Sequence, residues 1–211
     1  MKLNKIRKGV LLSIAAFGLQ ISAQPSIADT HAMAEKEDSK ASTPSDPWTW
    51  LEGTTWIVPP NNVPAYMLAG VRLPDKAPAL VALNDQTVYT IEGYKNGFFW
   101  GTFVLALQPA SGGPISYGCS SMLSTISPDG QVVIGSTTDN GTNNMGVGQM
   151  VKVKGQWTMK NLKVGSYTHW AYMVQSKPTD PSYHNLPFVH LSVQEMLDKC
   201  PNYTPTIPQL D

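Results

Sequence analysis

Two stretches of the chain concentrate side chains that could do chemistry. One is YTIEGYKNGFFWG over residues 89–101, where Glu92 sits among Tyr94, Phe98, Phe99 and Trp100. The other is YTHWAYMVQ over 167–175, where His169 sits among Tyr167, Trp170 and Tyr172. A carboxylate enclosed by aromatic rings loses solvation, which raises its pKa and suits it to general acid or base work. An imidazole exchanges protons near neutral pH without such help. Glu92 and His169, with Tyr94 as a third proton-carrying group and Tyr172 as its alternative, form the candidate catalytic set. The plainer account is structural: Glu92 faces water as most glutamates do, and His169 is hydrogen-bonded in a wall or at a rim.

The choice turns on which way each strand faces. Along 87–94, Val88, Thr90, Glu92 and Tyr94 share one face, while Tyr89, Ile91, Gly93 and Lys95 share the other. Asn96-Gly97 suits a two-residue hairpin with positive φ at both central positions. On the returning strand Phe98, Trp100, Thr102 and Val104 oppose Phe99, Gly101, Phe103 and Leu105. The second set is the more apolar and reads as core-facing. A bulge at Gly93 or Gly101 would exchange the faces. On 167–175, Tyr167, His169, Ala171, Met173 and Gln175 alternate with Thr168, Trp170, Tyr172 and Val174. An interior ligand would be lined by Trp56, Phe99, Trp100, Phe103, Trp170, Tyr172 and Met173. Met122, Met145, Met150 and Met159 would add an adaptable apolar lining, or simply pack the core.

The elements that must position these residues are strands. After Trp48 the chain shows period-2 segments separated by turn residues. GTTWIV (53–58) is a short strand stopped by Pro59-Pro60, and 61–78 reads as a long irregular connection. A strand over 80–83 turns at Asn84-Asp85 into 87–94, and 98–107 returns through the Asn96-Gly97 hairpin. Strands at 117–127 and 131–137 are joined by Pro128-Asp129-Gly130. A longer turn from Asp139 through Asn144 leads to 146–153, Lys154-Gly155 to 156–164, and Gly165-Ser166 to 167–175. One helix is predicted, 192–199, with Ser192 as N-cap, Glu195 completing a capping box and Pro201 just past its end.

Eight or so sequential antiparallel strands need their edges closed, and an all-β up-and-down barrel does so most simply; a sandwich is the competitor. The glycines within strand patterns at 93, 101, 118, 135, 146 and 148 favour the barrel, which needs sharp bends. With Gly53 and Trp56 on its first strand, its meander of about eight strands, one short C-terminal helix and the pair Cys119 and Cys200, the chain resembles the lipocalin/calycin group. That resemblance implies a calycin-like barrel over residues 48–200 with a ligand-holding interior.

The ends set the compartment. Residues 1–28 carry Lys2, Lys5, Arg7 and Lys8 before an apolar run from Val10 to Ala23, the pattern of a signal peptide. Cleavage after Ala28 fits, with Ala23 and Ala32 as alternatives. The run is shorter than the roughly 20 residues a bilayer span needs, and no other segment is apolar enough, so no membrane span is expected after cleavage. Residues 29–47 are polar and charged and read as a disordered leader, leaving 48–211 as the barrel domain. Loss of four basic residues with the signal leaves 11 basic against 15 acidic, a net charge near −4. That is no footprint for nucleic acid. In a periplasmic or secreted protein Cys119 and Cys200 are expected to form a disulfide.

Metal binding finds little support, because His184 and His190 lie on a proline-containing loop without further ligands and the cysteines are committed elsewhere. No phosphate loop, dinucleotide fingerprint, GxSxG or HExxH occurs, and no cofactor is expected. Two readings follow. The first is an exported barrel that binds a small lipophilic or aromatic molecule in its interior. The second is a cofactor-free lyase, isomerase or hydrolase acting on a small hydrophobic substrate through Glu92 and His169.

Overall fold

The structure is a computed structural model and describes residues 46–69, 79–138, 141–164, 169–201 and 203. The turn residues do what their types demand. Asn96 and Gly97 have φ of 50° and 83°, and Lys154 and Gly155 have 49° and 82°. Both pairs make two-residue hairpins whose twist matches that of the strands they join. The resulting strands are β1 (Thr54–Ile57), β2 (Pro64–Ala69), β3 (Ala79–Lys95), β4 (Phe98–Pro109), β5 (Ser116–Ile126), β6 (Gln131–Thr138), β7 (Asn143–Val153), β8 (Gln156–Val164) and β9 (His169–Ser176). From β3 to β9 each strand pairs antiparallel with the next, and β1 pairs with both β9 and β3. The sheet closes in a ring, as expected of an all-β up-and-down architecture.

Two expectations fail at β3. Asn84-Asp85 is not a turn, and the 61–78 connection contains a strand. β3 runs unbroken for 17 residues, with β1 along its second half and β2 along its first, where Pro64–Ala69 pairs with Ala79–Asn84. The polar residues that suggested a turn are held by tertiary partners. Asp85 donates its N–H to the Val63 carbonyl at 2.7 Å and accepts from Thr87 Oγ1 at 2.7 Å. Gln86 donates to the Val58 carbonyl and accepts from the Phe188 N–H. β7 also begins at Asn143, inside the stretch expected to be a turn.

The ring's inner and outer faces are told apart by two clusters. The inner one draws on every strand of the ring, including Trp56, Tyr89, Ile91, Phe99, Phe103, Met122, Ile134, Met150, Met159 and Met173. The outer one packs Leu186, Val193, Met196 and Cys200 from the C-terminal segment onto Ile57, Val88, Val104 and Ala106. That segment holds α1 (Pro181–His184), which the sequence reading lacks, and α2 (Val193–Leu197), which carries the expected Ser192–Glu195 capping box. Cys119 and Cys200 are joined in a disulfide. Among the described residues no helix is long and apolar enough to cross a membrane.

One end of the ring, here its foot, carries the 95–98, 126–131 and 153–156 turns. It is filled by four tryptophans. A 3-10 turn over Thr49–Leu51 brings Trp48 and Trp50 to Trp56 and Trp157, with ring centroids 5.2 to 6.3 Å apart. Trp48 Nε1 donates to the Ser127 carbonyl at 2.9 Å, fixing this plug to the β5–β6 turn. Asp46 and Pro47, assigned above to the polar leader, belong to this folded body.

Candidate functional site

A β-bulge decides the fate of the first candidate pair. Ile91 pairs with Gly101, but the next pair is Gly93 with Trp100, leaving Glu92 as the extra residue. Ile91 and Tyr94 both pack with the inner cluster, so Glu92 and Tyr94, expected on one face, stand on opposite ones. Glu92 accepts from Thr102 Oγ1 at 2.7 Å, and that hydroxyl also lies 3.5 Å from the Tyr203 carbonyl on the outside of the ring. Glu92 is therefore an outer-wall residue. Tyr94 sits at the foot, its hydroxyl 2.6 and 2.7 Å from the two Asp46 carboxylate oxygens while accepting the Gly97 N–H at 3.0 Å. His169 lies on β9 opposite Lys163; the side chains of His169 and Trp170 are outside the described residues.

The aromatic candidates divide. Trp56, Phe99, Phe103 and Met173 are buried in the inner cluster. Trp56 Nε1 donates to Thr54 Oγ1 at 2.9 Å. Trp100 and Tyr172 are outer residues, against the expectation that they line the interior. The bulge sets Trp100 over Gly93, where a Cβ would strike the indole. Tyr172 packs under Lys160 Nζ, 5.7 Å from its ring centroid, beside an open outer groove.

Burial pushes the Tyr94 phenol up to about 12, with the Asp46 carboxylate adding to it. A phenol whose pKa rises on folding stabilises the fold in its protonated form. Its contribution is whole below about pH 10 and is lost as pH climbs toward about 12. Tyr94→Phe should remove one late-titrating tyrosine from the tyrosinate absorbance curve and flatten the alkaline loss of stability between those values. An unchanged curve would mean that the Tyr94–Asp46 contact does not persist in solution.

The other end of the ring was not singled out from sequence, and it has a different chemistry. Toward the end where β2–β3, β4–β5, β6–β7 and β8–β9 connect, the inner face turns polar on strand after strand. Tyr89 is followed by Thr87 and Asp85, Met122 by Ser120, Ile134 by Ser136 and Met159 by Asn161. Asp85, Thr87, Ser120, Ser136 and Asn161 are all buried. Tyr89, Phe103, Ile134, Ser136 and Asn161 help line a cavity of about 20 Å³, room for about one water-sized group. Neither Asn161 Oδ1 nor Nδ2 makes a hydrogen bond of good geometry, and the amide acts on the Tyr89 hydroxyl only as a weak donor. Gly148 makes room for this amide, since a Cβ there would lie 2.5 Å from Asn161 Oδ1. The Tyr89 phenol is held well above its ordinary range, first by burial and then by the Asp85 charge, with a side-chain hydrogen bond from Asn161 acting the other way. It is a neutral hydrogen-bonding group at any physiological pH.

This polar level was detectable as a break in strand periodicity. In QWTMKNLKV the inner positions run Trp157, Met159, Asn161, and an amide in that register is out of place in a core. Among the described residues no group of three His, Cys, Asp or Glu side chains could hold a metal ion. Comparison of the chain with protein-family models, curated proteins and solved structures returned no match.

Proposed function

We propose that this protein is an exported binding module of calycin-like shape that receives the polar head of a small, partly aromatic molecule at the polar level of its ring. The observation that carries the reading is the buried, poorly satisfied Asn161 amide beside a small cavity. A buried amide so poorly satisfied costs up to about 1–3 kcal/mol, and a polar atom of a ligand, or a water in its absence, would complete it from the adjoining cavity. Asn161 offers a donor and an acceptor side by side, so its complement is a group presenting the reverse pair, such as a lactam, an imide or a pyrimidine-like edge, with only its polar tip entering a cavity of this size. Asp85 nearby disfavours an anionic head. Tyr89 and Phe103, edge to face at 5.1 Å, supply an aromatic flank.

The interior favours a molecule that enters head first over a lipid enclosed whole. The inner cluster already fills the ring between the tryptophan plug and Tyr89. Binding is favoured over turnover because Glu92 is engaged on the outer wall and Tyr94 with Asp46 sits at the opposite end from Asn161. The Cys119–Cys200 disulfide supports a working place outside the cytoplasm.

Asn161→Leu tests the reading. Without ligand the variant should stay within about 1 kcal/mol of the parent, because a poorly satisfied amide is replaced by an apolar group of similar size. Native mass spectrometry of the exported parent should show a retained small molecule, or thermal stabilisation by lactam- or pyrimidine-type compounds, and the variant neither. A variant that loses stability, from a parent that never binds any such compound, would mean Asn161 serves the fold alone.

A further inference from the structure

Between Asn96 and Val151 the sequence contains two charged residues, Asp129 and Asp139, and both fall between strands. β4, β5 and β6 carry no charge at all, and β7 only Lys152 near its end at the foot. Their inner faces are core, so the consequence falls on the outer face. There Leu123, Gly135 and Met145 line up across β5, β6 and β7, and the next row is Thr125, Val133 and Val147, with Phe98 beside Thr125 on β4. Leu123 is 55 % exposed, Met145 59 %, Phe98 47 %, Val147 45 % and Val133 40 %. Outer sheet faces that stay in water are normally studded with charge. This one presents only apolar side chains and neutral hydroxyls and amides. Among the described residues, the C-terminal segment covers the outer wall at Ile57, Val88, Val104 and Ala106 and runs to Tyr203, whose carbonyl lies at Thr102 and Ser121.

We propose that this face is the contact between two copies of the chain, packed sheet on sheet about a two-fold axis. Three observations favour a second copy over other occupants. The first is charge: with a net charge near −4 once residues 1–28 are removed, two copies repel through most of their surface, and here they meet without repulsion. The second is self-complementarity, which a two-fold contact requires. Gly135 stands between Leu123 and Met145 without a side chain, so the same row holds projecting side chains and a gap between them. The third is size. The five apolar side chains expose on the order of 450 Å², the size of the largest patch on a typical monomer, which is often a functional one. Their neutral polar neighbours extend the face toward the roughly 800 Å² per partner of a standard interface. An apolar centre within an uncharged polar rim is the anatomy of such contacts. A lipid surface would be met by a cluster of lysines and arginines around the patch; its margin holds Gln131 and Thr137 with single lysines only, Lys95 opposite Phe98 and Lys160 beyond Gln149.

Analytical ultracentrifugation of the exported, disulfide-bonded protein over a hundredfold concentration range tests this. The parent should pass from monomer to dimer. Leu123→Lys and Met145→Lys, on separate strands and at positions the ring does not bury, should keep the parent's melting temperature and weaken dimerisation at least 100-fold. A parent that stays monomeric throughout overturns the proposal, as do variants that dimerise as well as the parent. A monomeric parent that sediments with phosphatidylcholine vesicles overturns it in favour of a lipid surface.

Discussion

Removing the disulfide, by Cys119→Ser with Cys200→Ser, is expected to lower stability by about 3–4 kcal/mol. The bridge spans 81 residues, so its loss returns to the unfolded chain the freedom of a long loop. Its local consequence is as specific. α2 has five residues, far too few to persist as an isolated helix. It stays formed because Leu186, Val193 and Met196 bury against Ile57, Val88, Val104 and Ala106, with the disulfide holding the end of that segment on β5. For a chain of this size the melting temperature should fall by about 10 °C. Hydrogen exchange should also speed up over 186–200 more than in the strands. Equal melting temperatures for the oxidised parent and the double variant would mean that the outer cluster secures the segment unaided.

The same disulfide shows what the sequence made legible. Two cysteines in a chain whose start reads as an export signal leave one expected pairing, and the structure has it. The hairpins at Asn96-Gly97 and Lys154-Gly155 were equally plain, because positive φ at two successive residues admits few residue types. β3 was not legible. Asn84 and Asp85 carry turn chemistry in their side chains, and here it is answered by Val63, Thr87 and, through the neighbouring Gln86, by Val58 and Phe188. Those partners lie up to 102 positions away, where no local pattern reaches. α1 escaped notice for a related reason: four residues starting at a proline give no periodicity to find.

The candidate site divides along the same line. Aromatic density around Glu92 and His169 drew attention to those two stretches, whereas the rings that fill the foot, Trp48, Trp50, Trp56 and Trp157, come from elsewhere in the chain. The polar level at the other end has no dense motif. It consists of single residues on separate strands, Asp85, Ser120, Ser136 and Asn161, brought to one height by the register of the ring. Each is unremarkable in its own strand apart from being polar in an apolar phase. Reading such a level from sequence requires the register of neighbouring strands, and that register depends on bulges that glycines permit without announcing.

Gly101→Ala is expected to cost about 4 kcal/mol or more, the range reached when the backbone itself must move. At the bulge, a Cβ on Gly101 would overlap the Thr90 carbonyl oxygen and lie 3.1 Å from the Glu92 nitrogen. Both are backbone atoms of β3, so no side chain can swing aside. The sheet must part between β3 and β4 or slip by one residue, and a slip would turn Glu92 inward and take Tyr94 off Asp46. Gly118→Ala is the matched control: its new methyl meets the end of the Leu105 side chain at 3.2 Å, which can yield, and about 1 kcal/mol or less should be lost. If the first variant proves too unstable to purify, Gly93→Ala reads the same bulge more gently. There the obstruction is the Trp100 ring, and its displacement should appear as a shift in tryptophan emission with the fold retained. A Gly101→Ala protein as stable as Gly118→Ala would place the bulge elsewhere, and the opposed faces of Glu92 and Tyr94 would have to be given up with it.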